Sequence, residues 1–347
     1  MEQRQIVELG IKDIRLPEMF DKILNVRIGI VGDGCLDIYW DADMRLSELS
    51  RETPHHPLPV IEERFYLGAG GNVAANVKSL KAEKVYMLSL IGNDWRGEGF
   101  LKSMKDWGID DRFMLTDENW VTPAYCKPLR RGYSEIWYED PRIDFENRKA
   151  LSEKQELSVI ENLKALADAV DVIIVCDQFR YGVITESVRQ ELERLSKSGK
   201  TIMADSRSRI GLYRNMIIKP NEMEAVMALN DGGAVKETDM DVIIRCAVKI
   251  YEMNQAPVVI TMGRKGALWY EGNDIYMVMG IPVEPPIDIV GAGDTFLAAL
   301  ACSYAAGFPG PLCIVFANLA SSVVIRKIGI TGTASPEEIL EQASKIL

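Results

Sequence analysis

The sequence predicts an α/β protein with a mostly parallel sheet covered by helices on both faces. Strand-length segments such as VDVIIVCD (170–177) and PVVITMG (257–263) are continuously apolar, as strands buried on both faces must be. Helical segments alternate with them, the pattern of repeated β-α units. Glycines cluster where strands run into helices, at 68–71 and 291–293, and α/β sheets place ligands at the carboxyl ends of strands.

In chain order, RIGIVGD (27–33) is an apolar strand ending in Gly-Asp. NVAANVKSL (72–80) reads as a helix, KVYMLSLIG (84–92) as a strand, and GEGFLKSMKDWGI (97–109) as a helix. Strands follow at 170–177, 200–206 and 215–221, with the helix TESVRQELERLSKSG (185–199) between the first two. DVIIRCAVKIYEMN (241–254) is a helix leading to the strand at 257–263. Two apolar helical stretches, 294–307 and 311–327, form the tail. Two regions break this rhythm, at about 37–66 and about 120–146. The first holds the loop RETPHHPLPV; the second reads as a β-hairpin with Arg131-Gly132 near its turn. Together they are expected to form a small β-sheet lid, the alternative being surface loops.

The totals exclude several classes. The 347 residues carry a net charge of −11, a poor match for nucleic acid or an anionic membrane, which call for clustered Lys and Arg. Six cysteines form no CxxC pair, so they are expected as buried free thiols in a reducing compartment. The only histidines, His55 and His56, lie beside prolines, which argues against a histidine triad or a zinc site. The N-terminus lacks a signal-peptide apolar region, and the longest apolar stretch, Thr295 to Phe308, is too short to span a bilayer. A soluble, cytoplasmic protein is expected.

Five motifs carry chemistry. In DIVGAGD (288–294), Gly291 and Gly293 allow close backbone approach. The first N–H groups of the following helix have no intrahelical partner and form an anion site. Asp294 is either a helix cap or a base for a substrate hydroxyl. In GAGGNVAAN (68–76), Asn72 suits sugar hydroxyls or an ordinary N-cap. Asp37 follows the first strand and could grip vicinal hydroxyls. Asn221 and Glu224 could hold a hydrated Mg²⁺ through water, or form a capping box. Thr261, Gly263 and Gly266 suit a nucleotide phosphate loop or a plain turn.

In this order, the motifs resemble the ribokinase-like (PfkB) carbohydrate kinases over about 25–345. DIVGAGD resembles that family's C-terminal signature, 68–76 its N-terminal glycine signature, and Asn221 with Glu224 its N-x-x-E. Finer segments (GDGCLDIYW, PLPVIEER, GNVAANVKSLKA, RIDFE and KIGITGTASPEE) resemble the D-glycero-D-manno-heptose 7-phosphate kinases. Some of those are fused to a nucleotidyltransferase; a stand-alone kinase is expected here. Ala69 departs from a usual glycine and Val290 from a usual Thr, and VCDQFRYG matches only loosely, with Arg180 standing in for a lysine.

The resemblance implies a ribokinase-like fold in which 1–24 is an N-terminal extension and 25–347 the kinase domain. It implies transfer of the γ-phosphoryl of ATP to a sugar hydroxyl, with heptose 7-phosphate phosphorylated at position 1 as the first expectation. Another sugar or nucleoside (fructose, ribose, adenosine) and a non-catalytic sugar- or nucleotide-binding regulator are the alternatives. Asp294 is implied as the base, with the N–H groups of Ala292, Gly293 and Asp294 as the anion hole and Gly291 as its turn. Asp37, Gly68, Gly70, Gly71, Asn72, Asp177, Lys127 and Arg142 are implied at the sugar. Asp205, Arg207, Asn221, Thr261, Gly263, Gly266 and Asn318 are implied at the nucleotide. Glu224 would organise Mg²⁺ through water, and Asp288 would help bind a monovalent cation such as K⁺. Pairing of two lids implies a homodimer.

Overall fold

A computed structural model describes residues 5–134, 136–229 and 239–346. The N-terminal four residues of the expected extension, Glu135 of the expected hairpin, and 230–238 and Leu347 of the expected kinase domain lie outside the described residues.

The chain begins with β1 (Ile6–Leu9), α1 (Leu16–Ile23), β2 (Arg27–Gly32), β3 (Gly34–Asp43) and β4 (Val60–Ala69). Next come α2 (Gly70–Ser79), β5 (Lys84–Leu88), β6 (Leu90–Gly92), α3 (Trp95–Trp107), β7 (Leu115–Asp117) and β8 (Ala124–Arg131). After β9 (Tyr138–Glu139) and β10 (Ile143–Phe145) lie α4 (Glu153–Ala169), β11 (Val172–Asp177), α5 (Glu186–Lys197) and β12 (Thr201–Ser206). The last part holds β13 (Ile217–Ile218), α6 (Glu222–Ala228), α7 (Met240–Asn254) and β14 (Val258–Thr261). It ends with β15 (Ala267–Tyr270), β16 (Ile275–Val278), α8 (Ala292–Ala305), α9 (Gly310–Val324) and α10 (Pro336–Ser344).

The main sheet has nine strands in the order β1-β16-β15-β14-β13-β12-β11-β2-β5. Only β15 runs against the others, pairing antiparallel with both β14 and β16. One apolar layer holds α1, α2, α8 and α9, with Met19, Val73, Leu297 and Phe316 fully buried. The opposite layer holds α4, α5 and α7, with Leu163, Leu192 and Ala247 fully buried. Two covered faces explain why Val172–Cys176 are buried without alternation.

The second sheet, β10-β8-β3-β4 with β9 on β8, is built from the two regions that broke the β-α rhythm. Here alternation returns. Asp37, Tyr39, Asp41 and Asp43 point to one side, and the β3–β8 register sets them opposite Tyr125, Lys127, Leu129 and Arg131. The other side carries Ile38, Phe65, Cys126 and Ile143 in one row, partly covered where Phe65 meets Trp95 of α3.

Three expectations change. The segment before residue 25 is part of the body: β1 is an edge strand parallel to β16, and Leu16, Met19 and Ile23 of α1 are buried. The apolar face of α1 needs the core, so the described part of the N-terminal extension, from residue 5 on, packs on the body. The segment 84–92 is two strands in different sheets, broken at Ser89, whose hydroxyl accepts from the Gly34 N–H at 3.0 Å. Helix α2 starts at Gly70, so Gly70 and Gly71 belong to its first turn, while Gly68 lies in β4. All six cysteines are free and buried, as expected. Among the described residues, no helix is long and apolar enough to cross a membrane.

Candidate active site

Helix α8 begins at Gly291, whose φ of 80° makes the turn that lets the chain enter the helix. The N–H groups of Gly293 and Asp294 have no partner among the described residues, as expected at a helix N-terminus. A Cβ added at Gly293 would meet nothing within 4 Å, so an anion can come close to the backbone. Ala292 differs from expectation: its N–H donates to the Ile289 carbonyl at 3.2 Å, because the turn closes on itself there. That leaves the N–H groups of Gly293 and Asp294 free to meet an anion.

Asp294 occupies the third position of α8. Its Oδ2 accepts from the Asn72 side-chain amide at 2.7 Å. Crowding by protein pushes its carboxyl up to about 7; the Asn72 bond and Lys219 oppose the rise, and Asp205 and Asp37 add to it. A carboxyl poised there can take a proton from a hydroxyl near neutral pH. The Asn72 oxygen accepts from Asn76 at 3.1 Å, and the Asn76 oxygen accepts from the Thr295 hydroxyl at 2.8 Å. This buried network fixes the rotamers of both Asn72 and Asn76, locking α2 to α8. Asn72 therefore orients the Asp294 carboxylate.

On the lid side, the Asp37 carboxylate is buried. Lys127 Nζ lies 3.4 Å from its Oδ2 and donates to the Tyr39 hydroxyl at 3.0 Å. Burial works against the Lys127 ammonium, but Asp37 and Tyr39 outweigh it and raise its pKa. The Thr331 hydroxyl donates to the same Asp37 oxygen at 3.1 Å. Arg142 lies over the Tyr125 ring at 4.0 Å and pairs with Asp144 at 2.6 Å. Asp37, Lys127 and Arg142 are thus brought together.

Several expected sugar contacts are not. The Asp177 side chain is fully buried and accepts from Ser206 at 2.6 Å, from Tyr213 at 3.0 Å and from both arms of the Arg209 fork. It anchors β11 to the 206–213 segment. Gly70 and Gly71 are also buried. A Cβ at Gly71 would sit 2.9 Å from the Phe100 ring, and one at Gly70 would sit 3.0 Å from the Asp33 carbonyl. They let protein pack on protein. Gly68 does the same for Asp37, whose Oδ1 would lie 2.8 Å from an added Cβ.

The nucleotide-side residues converge because β12, β13 and β14 are neighbours in the sheet. Asp205 is the next-to-last residue of β12 and pairs with Lys219 at 3.2 Å. Asn221 bridges to Thr261. Gly263 opens the following turn, and a Cβ there would meet nothing within 4 Å. Gly266 instead serves packing: its φ is 96°, and a Cβ would strike the Val278 carbonyl. Arg207 is exposed. Asn318 of α9 donates to the Met279 carbonyl at 2.9 Å.

Asn221 and Glu224 form a reciprocal capping box, with bonds of 2.9 and 2.8 Å. Burial and then Asp205 push the Glu224 carboxyl up, so added positive charge would be favoured there. Among the described residues, no group of three or more His, Cys, Asp or Glu is placed to hold a metal. That donor set fits a hydrated ion carried on phosphates, not a protein cage. Each Asp288 oxygen accepts a backbone N–H, from Val290 at 3.0 Å and from Gly329 at 3.1 Å, which ties the 288–291 turn to the C-terminal loop. Its remaining lone pairs fit a monovalent cation.

Sequence reading missed Lys219, Arg209, Thr331 and Asp33. Lys219 is buried among carboxylates; burial opposes its charge, yet Asp205, Glu224 and Asp294 hold its pKa above the ordinary value. Its position directly before Pro220-Asn221 was the available signal. Thr331 lay within the quoted KIGITGT. Arg209 and Asp33 carried no local sign of their partners.

A carboxylate thus stands at a glycine-opened helix start, with a polar lid on one side and strand-end loops on the other. The chain belongs to the pfkB family of carbohydrate kinases, which residues 37–338 match. Its similar relatives include proteins named bifunctional protein HldE from Trichlorobacter lovleyi and Wolinella succinogenes. Both are 29% identical, over 94% and 92% of this chain. This chain spans 64% and 65% of their lengths. The fold is similar to phosphofructokinase-2 from Escherichia coli in complex with potassium, at a TM-score of 0.74 and 20% identity, covering 92% of this chain and 99% of that one. It is also similar to Arabidopsis thaliana ribokinase complexed with ribose and ATP, at 0.68 and 19%, with the same coverage.

Proposed function

We propose that this kinase transfers the γ-phosphoryl of ATP to the 1-hydroxyl of D-glycero-D-manno-heptose 7-phosphate. The observation that carries the kinase chemistry is the Asp294 carboxylate on the first turn of α8, held by Asn72 beside two unpartnered N–H groups. Asp294 takes the proton of the acceptor hydroxyl as it attacks. The Gly293 and Asp294 N–H groups stabilise charge on the transferring phosphoryl, a contribution of about 10²–10³ in rate per donor. Asp37 positions the sugar hydroxyls, with Lys127 and Arg142 supplying positive charge. Asp205, Arg207, Asn221, Thr261, Gly263 and Asn318 line the nucleotide side.

When bound, Mg²⁺ neutralises phosphate charge, with Glu224 holding it through water. Asp288 would help hold a monovalent cation. The heptose assignment is supported by the segments that resemble heptose 7-phosphate kinases and by the relatives named HldE.

We also read the protein as a cytoplasmic homodimer joined through the lid. Val60, Phe65 and Ile143 are exposed apolar side chains on one lid face, a surface that a second lid would cover. Light scattering at micromolar concentration should give twice the chain mass; a monomer would remove the dimer.

The substrate is tested by a panel of heptose 7-phosphate, fructose, fructose 6-phosphate, ribose and adenosine with Mg·ATP. The highest kcat/KM is expected for the heptose phosphate. A higher value for any other acceptor overturns the assignment, and no turnover with any acceptor would favour the binding-regulator reading.

A further inference from the structure

We propose that Asp33 is a positioning residue that clamps the 178–183 loop against the sugar side of the active site. The inference rests on the reading of Asp37 and Lys127 as the sugar side.

Asp33 follows β2 and is buried. Its Oδ2 accepts the N–H groups of Gln178 at 2.8 Å and Phe179 at 2.7 Å, and its Oδ1 accepts that of Val183 at 2.7 Å. One carboxylate thus holds both ends of a single loop. Its main chain adds two ties: the N–H donates to the Cys176 carbonyl, and the carbonyl accepts from Gly70, each at 2.9 Å. Asp33 therefore joins the end of β11, the loop after it and the first turn of α2, two residues from Asn72.

The held loop reaches the lid. The Phe179 ring lies 6.0 Å from the Tyr125 ring, and Tyr125 stands opposite Asp37 in the β3–β8 register with Arg142 over it. From outside, Arg209 donates to the carbonyls of Phe179 at 2.8 Å and Arg180 at 3.3 Å while anchored on Asp177. The loop is gripped at its N–H groups by one carboxylate and at its carbonyls by an arginine. A charged side chain is costly to bury. Three convergent donors explain why it must be an acceptor-only group: an Asn in its place would aim an amide N–H at a backbone N–H. Gly182 completes the fit, since a Cβ there would lie 2.1 Å from Asp33 Oδ1.

The test compares Asp33→Asn and Gly182→Ala with the unaltered protein, using the panel sugar that the unaltered protein turns over fastest. The Gly182→Ala change breaks the clamp from the loop side if Asp33→Asn does not fold. Loss of one or two charge-assisted bonds should raise the acceptor KM about tenfold or more, with the ATP KM within about twofold. A residue important only for stability would lower Tm and leave both KM values unmoved; that result, or an equal rise in both, overturns the proposal. Hydrogen exchange gives a readout without substrate. The Gln178, Phe179 and Val183 amides should exchange faster in either variant while those of β11 stay protected, and unchanged exchange at the three overturns the clamp. If the unaltered protein turns over no sugar, the function proposed above fails, and hydrogen exchange still decides the clamp.

Discussion

The side-chain amide of Asn72 lies 2.7 Å from the Asp294 carboxylate, joining two residues 222 positions apart. Each is on the first turn of its helix, and each helix starts at a glycine-rich turn. The two signatures that are distant in sequence meet at one hydrogen bond.

Replacing Asp294 by Asn removes the base. Turnover should fall by at least about 10³-fold while ATP binding, followed by calorimetry, stays within a few-fold. The same variant should be more stable than the unaltered protein at pH 8. A carboxyl raised to about 7 in the fold contributes stability that is present below its unfolded value and lost as pH rises through 7. The Tm advantage of the Asn variant should therefore shrink as pH is lowered toward 4. In the unaltered protein, kcat/KM should fall below pH about 7, where Asp294 takes up a proton.

Asn72→Ala tests the orientation of that base. The Asn72 bond opposes the rise in the Asp294 pKa, so its loss should move the acid limb of the pH–rate profile to higher pH. At pH 7, kcat should drop about 10–100-fold, since fewer molecules carry the ionised base and its rotamer is no longer held. An unmoved acid limb would show that Asp294 is not the group titrating.

Ala69 sits at φ 51°, ψ −130°, a conformation that costs a residue with a Cβ about 1–3 kcal/mol. Ala69→Gly should raise stability in urea by about 1 kcal/mol, after allowing for the greater freedom glycine gains in the unfolded chain. The strained turn leads directly into Asn72, so kcat should stay within about threefold.

Lys219→Met removes the ammonium that faces Asp205 and lies in the field of Glu224 and Asp294. Breaking a buried pair leaves an uncompensated charge and costs about 3–5 kcal/mol. Lys219 also restrains the Asp294 pKa, so the acid limb should again shift upward. Denaturant titration and a pH–rate profile check the two effects separately.

Much of this site could be read locally. Gly291 to Asp294 is one strand-loop-helix segment, and a helix N-terminus creates its anion site from its own backbone. Asn221 and Glu224 are three apart and cap their own helix. Asp177 was misread because an aspartate at a strand end looks the same in sequence whether it meets a ligand or an arginine; Arg209 takes it here. The place of the segment before residue 25 was illegible for a similar reason. The short strand Ile6–Leu9 has meaning only beside β16, more than 260 residues later.

The sequence alone determined the α/β class and the two glycine signatures, and it singled out Asp294 as the carboxylate at the helix start, because those depend on periodicity and on groups a few residues apart. The tertiary structure decided which acidic residues face the crevice and which are spent inside. It placed Asn72 on Asp294, Thr331 on Asp37 and Lys219 between carboxylates, and it turned Asp33 into a clamp. Burial and charge proximity set the state of each ionisable group, and both arise only when segments far apart in the chain are packed together.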